Sequence, residues 1–197
     1  PSLLSLDADR HPANAAAGRY VDGNVIYLGS FSKTLTPGLR VAWVVAPPEI
    51  ARQLVMAKQG ADLDSSALGQ AMADEFMRRG WLPAQVERIR RTYLERRNAT
   101  LSAIEQYLPA GVTCTRPQGG LSLWITLPGG MDAVSLLSKA AERKVAFVPG
   151  GPFHVDGRGQ NTLRVSYATM QPEQIREGIR RLGEAIREAM AERARRA

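Results

Sequence analysis

An α/β fold is what this sequence predicts, and three observations predict it. Short apolar runs, Asn24-Val25-Ile26-Tyr27-Leu28 and Val41-Ala42-Trp43-Val44-Val45-Ala46, are bounded by Asp22-Gly23 and Pro47-Pro48, the punctuation of buried strands. Longer segments carry apolar residues at helical spacing with charges between them. The two kinds of segment mix along a chain of 197 residues that is 44% hydrophobic, enough to bury a core of sheet and covering helices.

Taken in order, residues 1–47 read as an irregular entry, two buried strands and a loop between them. Pro48 to about Gly60 reads as a helix with Ile50, Leu54 and Val55 on one stripe. Asp64-Ser65-Ser66 caps a second helix reaching Gly80, with Leu68, Met72, Phe76 and Met77 toward the core. Trp81-Leu82-Pro83 reads as a boundary. A long helix then runs from about Ala84 to Tyr107, its stripe including Val86, Ile89, Tyr93, Leu94 and Leu101, and closes at Pro109-Ala110-Gly111. Strands are expected at 112–116 and 120–127, a helix at 132–143, strands at 145–148 and 162–167, and a terminal helix from Gln171 or Pro172. The segment Ala191 to Ala197 is expected to fray.

Composition excludes several function classes. No run approaches the ~18 apolar residues of a membrane span, and no secretory signal heads the chain, so a cytoplasmic setting is expected. The lone Cys114 cannot form an internal disulfide, and the alternating Val112-Thr113-Cys114-Thr115 reads as a structural thiol. No zinc-ligand spacing occurs, so no metal is expected. The net charge of +7 raises a nucleic-acid reading. The basic residues are interleaved with acids at helical spacing, however, as in Glu87 to Arg97 and Glu173 to Glu188, which is the pattern of a solvated, ion-paired face.

The chemistry lies in Gly29-Ser30-Phe31-Ser32-Lys33-Thr34-Leu35-Thr36-Pro37-Gly38-Leu39-Arg40, a loop between two strands, where a scaffold positions reactive groups. A lysine amine can form a Schiff base with an aldehyde cofactor such as pyridoxal phosphate, whose phosphate needs its own cradle. Ser30, Ser32 and Thr34 offer hydroxyls near the amine, and Arg40 offers a guanidinium fork suited to phosphate. Lysine is scarce here, the others being Lys58, Lys139 and Lys144. On spacing alone, a surface lysine in a hydroxyl-rich loop stays open as the alternative.

Ser30 to Arg40 closely resembles the Schiff-base motif S-x-S-K-x-x-x-P-G-x-R of the class I/II aminotransferases of fold type I, which use pyridoxal phosphate. It is most similar to the 2-aminoadipate and kynurenine-type branch and to the aminotransferase domains of MocR-type regulators. Three further segments resemble family motifs in the family's order: Pro117-Gln118-Gly119-Gly120, Val148-Pro149-Gly150-Gly151-Pro152-Phe153, and Asn161-Thr162-Leu163-Arg164-Val165-Ser166-Tyr167. The resemblance implies an amino-acid to 2-oxo-acid aminotransferase with Lys33 as catalytic lysine. It implies Ser30, Ser32 and Arg40 as phosphate ligands, and Arg164 as the α-carboxylate ligand. Arg164 also sits on a strand between Leu163 and Val165 with no acid nearby in sequence, a costly placement unless it meets an anion.

By the same resemblance, residues 1–83 are the C-terminal part of the large cofactor-binding domain and 84–197 the small C-terminal α/β domain. The chain looks like the C-terminal half of such an enzyme, expected to be inactive alone and a homodimer when complete. Asp7, Asp9 and Asp22 do not match the context of the family's pyridine-binding aspartate, and none is assigned that role. An effector-sensing domain of a MocR-type regulator is the alternative, with nucleic acid a partner only through a DNA-binding domain fused upstream. A basic nucleic-acid-binding module is a more distant one. His154, in its Gly/Pro-rich loop near the expected carboxylate site, reads as solvated with substrate contact the alternative, His11 beside Pro12 carries no functional argument, and Trp43, Trp124 and Tyr167 read as packing residues.

Overall fold

A computed structural model describes residues 1–196. It divides into two compact units, Pro1–Ile89 and Arg90 onward, with one helix running through the join.

In the first unit, two short helices stand where an irregular entry was expected: α1 (Leu3–Ala8) and α2 (Pro12–Ala17). Ser2 caps α1 by accepting from Ser5 N at 3.1 Å, and α2 begins on Pro12 and ends on Gly18 at φ 62°, the conformation that favours glycine. Buried Asn14 ties the following segment down: its side chain donates to Asp22 O and accepts from the Val21 and Asp22 amides. Asp7 accepts from Tyr20 Oη at 2.5 Å and Asn24 N at 2.9 Å, and the Tyr20 bond chiefly holds its carboxyl below the usual range. His11 lies 3.2 Å from Asp22 Oδ2. Asp7, Asp22 and His11 are thus spent on local structure.

β1 (Tyr27–Ser30) and β2 (Ala42–Val45) pair antiparallel, Gly29 opposite Trp43 and Ser30 opposite Ala42. β2 forms where expected, while β1 starts three residues later than its apolar run and takes in Gly29 and Ser30, and neither strand is buried as expected. Leu28 is 74% exposed and Val44 47%. An apolar run marks a strand, but covering layers bury it, and this sheet is a two-stranded ribbon. The helices repeat the lesson. α3 (Pro48–Asp62) leaves Leu54, Val55 and Met56 exposed. α4 (Ala67–Arg78), capped by Ser66 Oγ accepting from Gly69 N at 3.2 Å, buries Gly69 and Ala73 rather than the expected Leu68, Met72 and Met77. The small residues win because Gly69 lies against Leu39 O and the Val41 side chain, too close for a large one.

α5 (Trp81–Tyr107) starts three residues earlier than expected: Trp81-Leu82-Pro83 is its first turn, not a boundary. Proline is tolerated there because first-turn amides have no partner within the helix. The break is Gly80, at φ 69°.

The second unit is a four-stranded antiparallel sheet in the order β3 (Thr113–Cys114), β4 (Ser122–Thr126), β6 (Thr162–Ser166), β5 (Val148–Pro149). β3 and β5 are shorter than the runs that predicted them. α6 (Ala133–Glu142) is capped by Asp132, which accepts from Ser135 N and Oγ, both at 2.7 Å. α7 (Pro172–Arg196) is continuous through the stretch expected to fray, and Ala197 lies outside the described residues. One core holds Leu123, Ile125, Leu163, Leu182 and Ile186, none more than 1% exposed, with Tyr167 packed among them. Burial on the order of 2 kcal/mol per such side chain makes this the unit's main stabilisation. Basic side chains lace its surface: Lys139 bonds Glu188 and Glu192, Arg143 bonds Glu188, and Arg180 and Arg181 share Glu177. Cys114 is a half-buried strand residue whose thiol burial pushes up, as a structural thiol should be.

Candidate active site

The lysine loop is closed at its base. Phe31 N donates to Val41 O at 3.1 Å, so Phe31 to Val41 leaves and rejoins the β1–β2 ribbon at one point. Gly29 is needed there because a Cβ would run into the Trp43 indole, which also packs on buried Phe31 at 4.8 Å. That aromatic pair pins the loop's first residue. Leu35 N donating to Phe31 O at 2.8 Å tightens the next turn, and Ser32 N donates to Ser30 Oγ at 3.0 Å. Lys33 rides on this turn, exposed, with no hydrogen bond or ion pair among the described residues.

At the other end, Pro37–Leu39 forms a 3-10 turn and Arg40 follows at φ 55°. Such a backbone costs a non-glycine residue on the order of 1–2 kcal/mol. Arg40 is exposed, its Nη1 donating only to Pro37 O at 3.3 Å. Between Asn24 and Pro48 there is no acidic residue. The segment from Ser30 to Arg40 therefore carries one primary amine, one guanidinium and the hydroxyls of Ser30 and Ser32, with no acidic residue of its own to neutralise them. A donor set of that kind suits an anionic carbonyl compound, phosphate toward the guanidinium and hydroxyls, aldehyde toward the amine.

The arginine platform belongs to the second unit. On β6, Leu163 is fully buried while Arg164 is half-buried on the opposite face, as strand alternation requires. Arg164 sits between Trp124 on β4 and Val148 on β5. Its guanidinium lies over the Phe153 ring at 5.0 Å, and Phe153 meets Trp124 edge to face at 5.3 Å. It makes no ion pair or hydrogen bond among the described residues. Arg143, Arg176, Arg180 and Arg181 each hold a carboxylate; this one holds none.

The neighbouring motif residues are structural. Asn161 exchanges bonds with Leu127 across the strand ends, Nδ2 donating to Leu127 O and Leu127 N to Asn161 O, both 2.8 Å. Tyr167 Oη donates to Gly119 O at 3.4 Å, and Arg97 Nη1 to Pro117 O at 3.2 Å, which fixes the loop entering β4. Gly120 takes φ 89° in that loop. His154 follows Phe153 with its ring against Gly159. Sequence reasoning missed Phe153 and Trp124 as neighbours of Arg164, although the Pro-Gly-Gly-Pro-Phe turn and the strand pairing were the signals to look for. Among the described residues no cluster of His, Cys, Asp or Glu could hold a metal ion, and no helix is long and apolar enough to cross a membrane.

The comparisons with known proteins agree with one another. The model of the aminotransferase class I and II family matches residues 6–182. The 2-aminoadipate transaminase of Thermus thermophilus is 52% identical over 167 residues, covering 85% of this chain and 42% of that protein. An uncharacterised HTH-type transcriptional regulator of Bacillus subtilis is 35% identical over 85% of the chain and 34% of its own length. Among solved structures, the α-aminoadipate aminotransferase LysN of Thermus thermophilus, complexed with N-(5'-phosphopyridoxyl)-L-leucine, superposes with a TM-score of 0.83 at 50% identity, covering 91% of this chain and 45% of that one. The chain thus spans less than half the length of these relatives, and the fold is that of the corresponding part of fold-type I aminotransferases. With the family model running from α1 into α7, through both the lysine loop and the arginine strand, the chain belongs to the aminotransferase class I and II family.

Proposed function

We propose that the whole protein is a pyridoxal-phosphate-dependent aminotransferase that moves an amino group from an amino acid to a 2-oxo acid. The observation that carries this is the Lys33 loop, an unpaired amine sharing an acid-free loop with Arg40, Ser30 and Ser32. When bound, pyridoxal phosphate supplies an aldehyde for the amine and a ring that draws electrons from the substrate α-carbon. Arg40, Ser30 and Ser32 hold its phosphate through charge-assisted and neutral hydrogen bonds. The Lys33 amine anchors the aldehyde and, when free, moves the proton at the substrate Cα as general base and acid. Arg164 takes the α-carboxylate, orienting that carbon, with its guanidinium fork free to bind in bidentate fashion. A cytoplasmic homodimer split into a large cofactor-binding domain, residues 1–83 here, and a small domain, 84–197, completes the reading.

The likeness to an HTH-type regulator favours one second reading, an aminotransferase-like domain that senses cofactor and an amino compound without turnover. One assay separates them. The whole protein, given pyridoxal phosphate, 2-aminoadipate and 2-oxoglutarate, is expected to produce glutamate steadily, and Lys33→Ala to abolish turnover and, with no amino acid added, the visible absorbance of the lysine-attached cofactor. Absorbance without turnover would favour the regulator, and full activity in Lys33→Ala would overturn both.

A further inference from the structure

The Arg164 guanidinium is held by an aromatic ring and by no carboxylate. Arg143 at the end of α6, and Arg180 and Arg181 in α7, are fixed by carboxylates, which occupy N–H donors. Arg164 is fixed instead by a ring: Phe153 lies under its Cζ at 5.0 Å. A cation over an aromatic face is attracted by the ring quadrupole without consuming N–H donors. A carboxylate partner would compete with an incoming acid; a ring does not. We infer that Phe153, propped by Trp124, is a positioning residue that pre-aims Arg164 and leaves its donor edge open for the substrate carboxylate. This rests on the reading of Arg164 as the carboxylate ligand.

The surrounding backbone explains why the ring stays put. Gly150 N donates to Thr162 O at 2.7 Å, which seats the end of β5 on β6 two residues before Arg164. A Cβ at Gly150 would run into the Thr162 hydroxyl and the Trp124 ring, so only glycine lets the chain pass this close. Phe153 N then donates to Gly150 O at 2.9 Å, turning the 3-10 segment Gly151–Phe153 back over the sheet. Trp124, directly across the ladder from Arg164, meets Phe153 edge to face at 89°. Phe153 is itself 50% exposed, so its apolar face is not held there by burial in a core. The Trp124 edge and the Arg164 cation are the contacts that define its place. An arginine side chain free in solvent samples many rotamers, and restricting it beforehand lowers the entropy lost when an anion arrives.

The test compares Phe153→Leu, Phe153→Tyr and Arg164→Ala in the whole, pyridoxal-phosphate-loaded protein. It reads KM and kcat for 2-oxoglutarate, and 2-oxoglutarate affinity by calorimetry. Phe153→Leu is expected to raise both KM and the dissociation constant about 3- to 30-fold, the range that cation–π contacts span, with kcat changed less than about threefold. Phe153→Tyr keeps the ring and should stay within about twofold of the parent. Phe153→Met serves in place of the leucine variant if that one does not fold. Unchanged affinity in the non-aromatic variants, with Arg164→Ala weakened, overturns the role of Phe153 and leaves that of Arg164 standing. Unchanged affinity in Arg164→Ala overturns the carboxylate reading beneath it.

Discussion

Leu123, Ile125, Leu163, Leu182 and Ile186 of the second unit are each no more than 1% exposed, whereas Leu28, Val55, Leu63 and Leu68 of the first stand 59–82% exposed. Both units carry strands and amphipathic helices, so local pattern does not explain the difference. The second unit closes on itself: α6 and α7 bury the sheet's inner face and are laced together by Lys139, Arg143, Glu188 and Glu192. The first contributes a ribbon and helices whose apolar faces nothing within it covers. The groups assigned to chemistry divide accordingly. Arg164 stands on a strand of the packed sheet, a rigid anchor, while Lys33 and Arg40 ride a loop pinned mainly by Phe31 and Trp43.

The sharpest way to break this contrast is thermodynamic. Leu182→Ala, in the packed unit, should cost about 2–5 kcal/mol, the range for large-to-small changes in a core. Leu28→Ala, on the open ribbon, should stay within about 0.5 kcal/mol. Urea unfolding of the chain by fluorescence and circular dichroism measures both. A loss above about 1 kcal/mol at Leu28 would mean that β1 is covered in solution, by self-association of these apolar faces for example, and the contrast would fall.

How much of this was legible in the sequence follows the same division. In the second unit, Leu163 and Arg164 on opposite faces were readable from alternation, and Asp132 and Pro172 announced the starts of α6 and α7. There the local pattern and the buried outcome agree. In the first unit, the hydrophobicity of Leu54, Val55, Leu68 and Met72 correctly announced helices and misled about burial, since burial is decided by what packs on top. Gly69 and Ala73 took the buried face, and at Gly69 the Leu39 carbonyl and the Val41 side chain come too close for anything larger. α1 and α2 were missed because six-residue helices leave too little period to read, and because their organiser, Asn14, acts through bonds to residues seven and eight positions on. The candidate site residues were assigned through motif likeness, and their roles are what the proposed experiments test. The aromatic support of Arg164 was not legible, since Phe153 reaches it only through a 3-10 turn and Trp124 only through the ladder.

A smaller effect probes the ion-paired surface of the second unit. Arg180 and Arg181 hold the Glu177 carboxyl down from 4.5 to about 2. A depressed folded value means that the bridge's contribution is full above about pH 4.5 and is lost as pH falls toward 2. The Glu177 side chain is 42% exposed, so the contribution is modest and screened by salt. Glu177→Gln should flatten part of the decline in the urea midpoint between pH 4.5 and 2, most clearly at low ionic strength. An identical decline in parent and variant would remove the bridge from the account of this unit's stability.

The central claim is that Lys33 is the amine that takes the aldehyde. Lys58 is paired with Asp62 and Lys139 with Glu188 and Glu192, whereas Lys33 stands unpaired in its acid-free loop. Borohydride reduction of the whole protein after incubation with pyridoxal phosphate, followed by peptide mass spectrometry, reads the attachment site directly. The phosphopyridoxyl group is expected on Lys33 at near-stoichiometric yield, with Lys58, Lys139 and Lys144 essentially unlabelled. Label spread evenly over these lysines, or concentrated on one other than Lys33, would contradict the assignment.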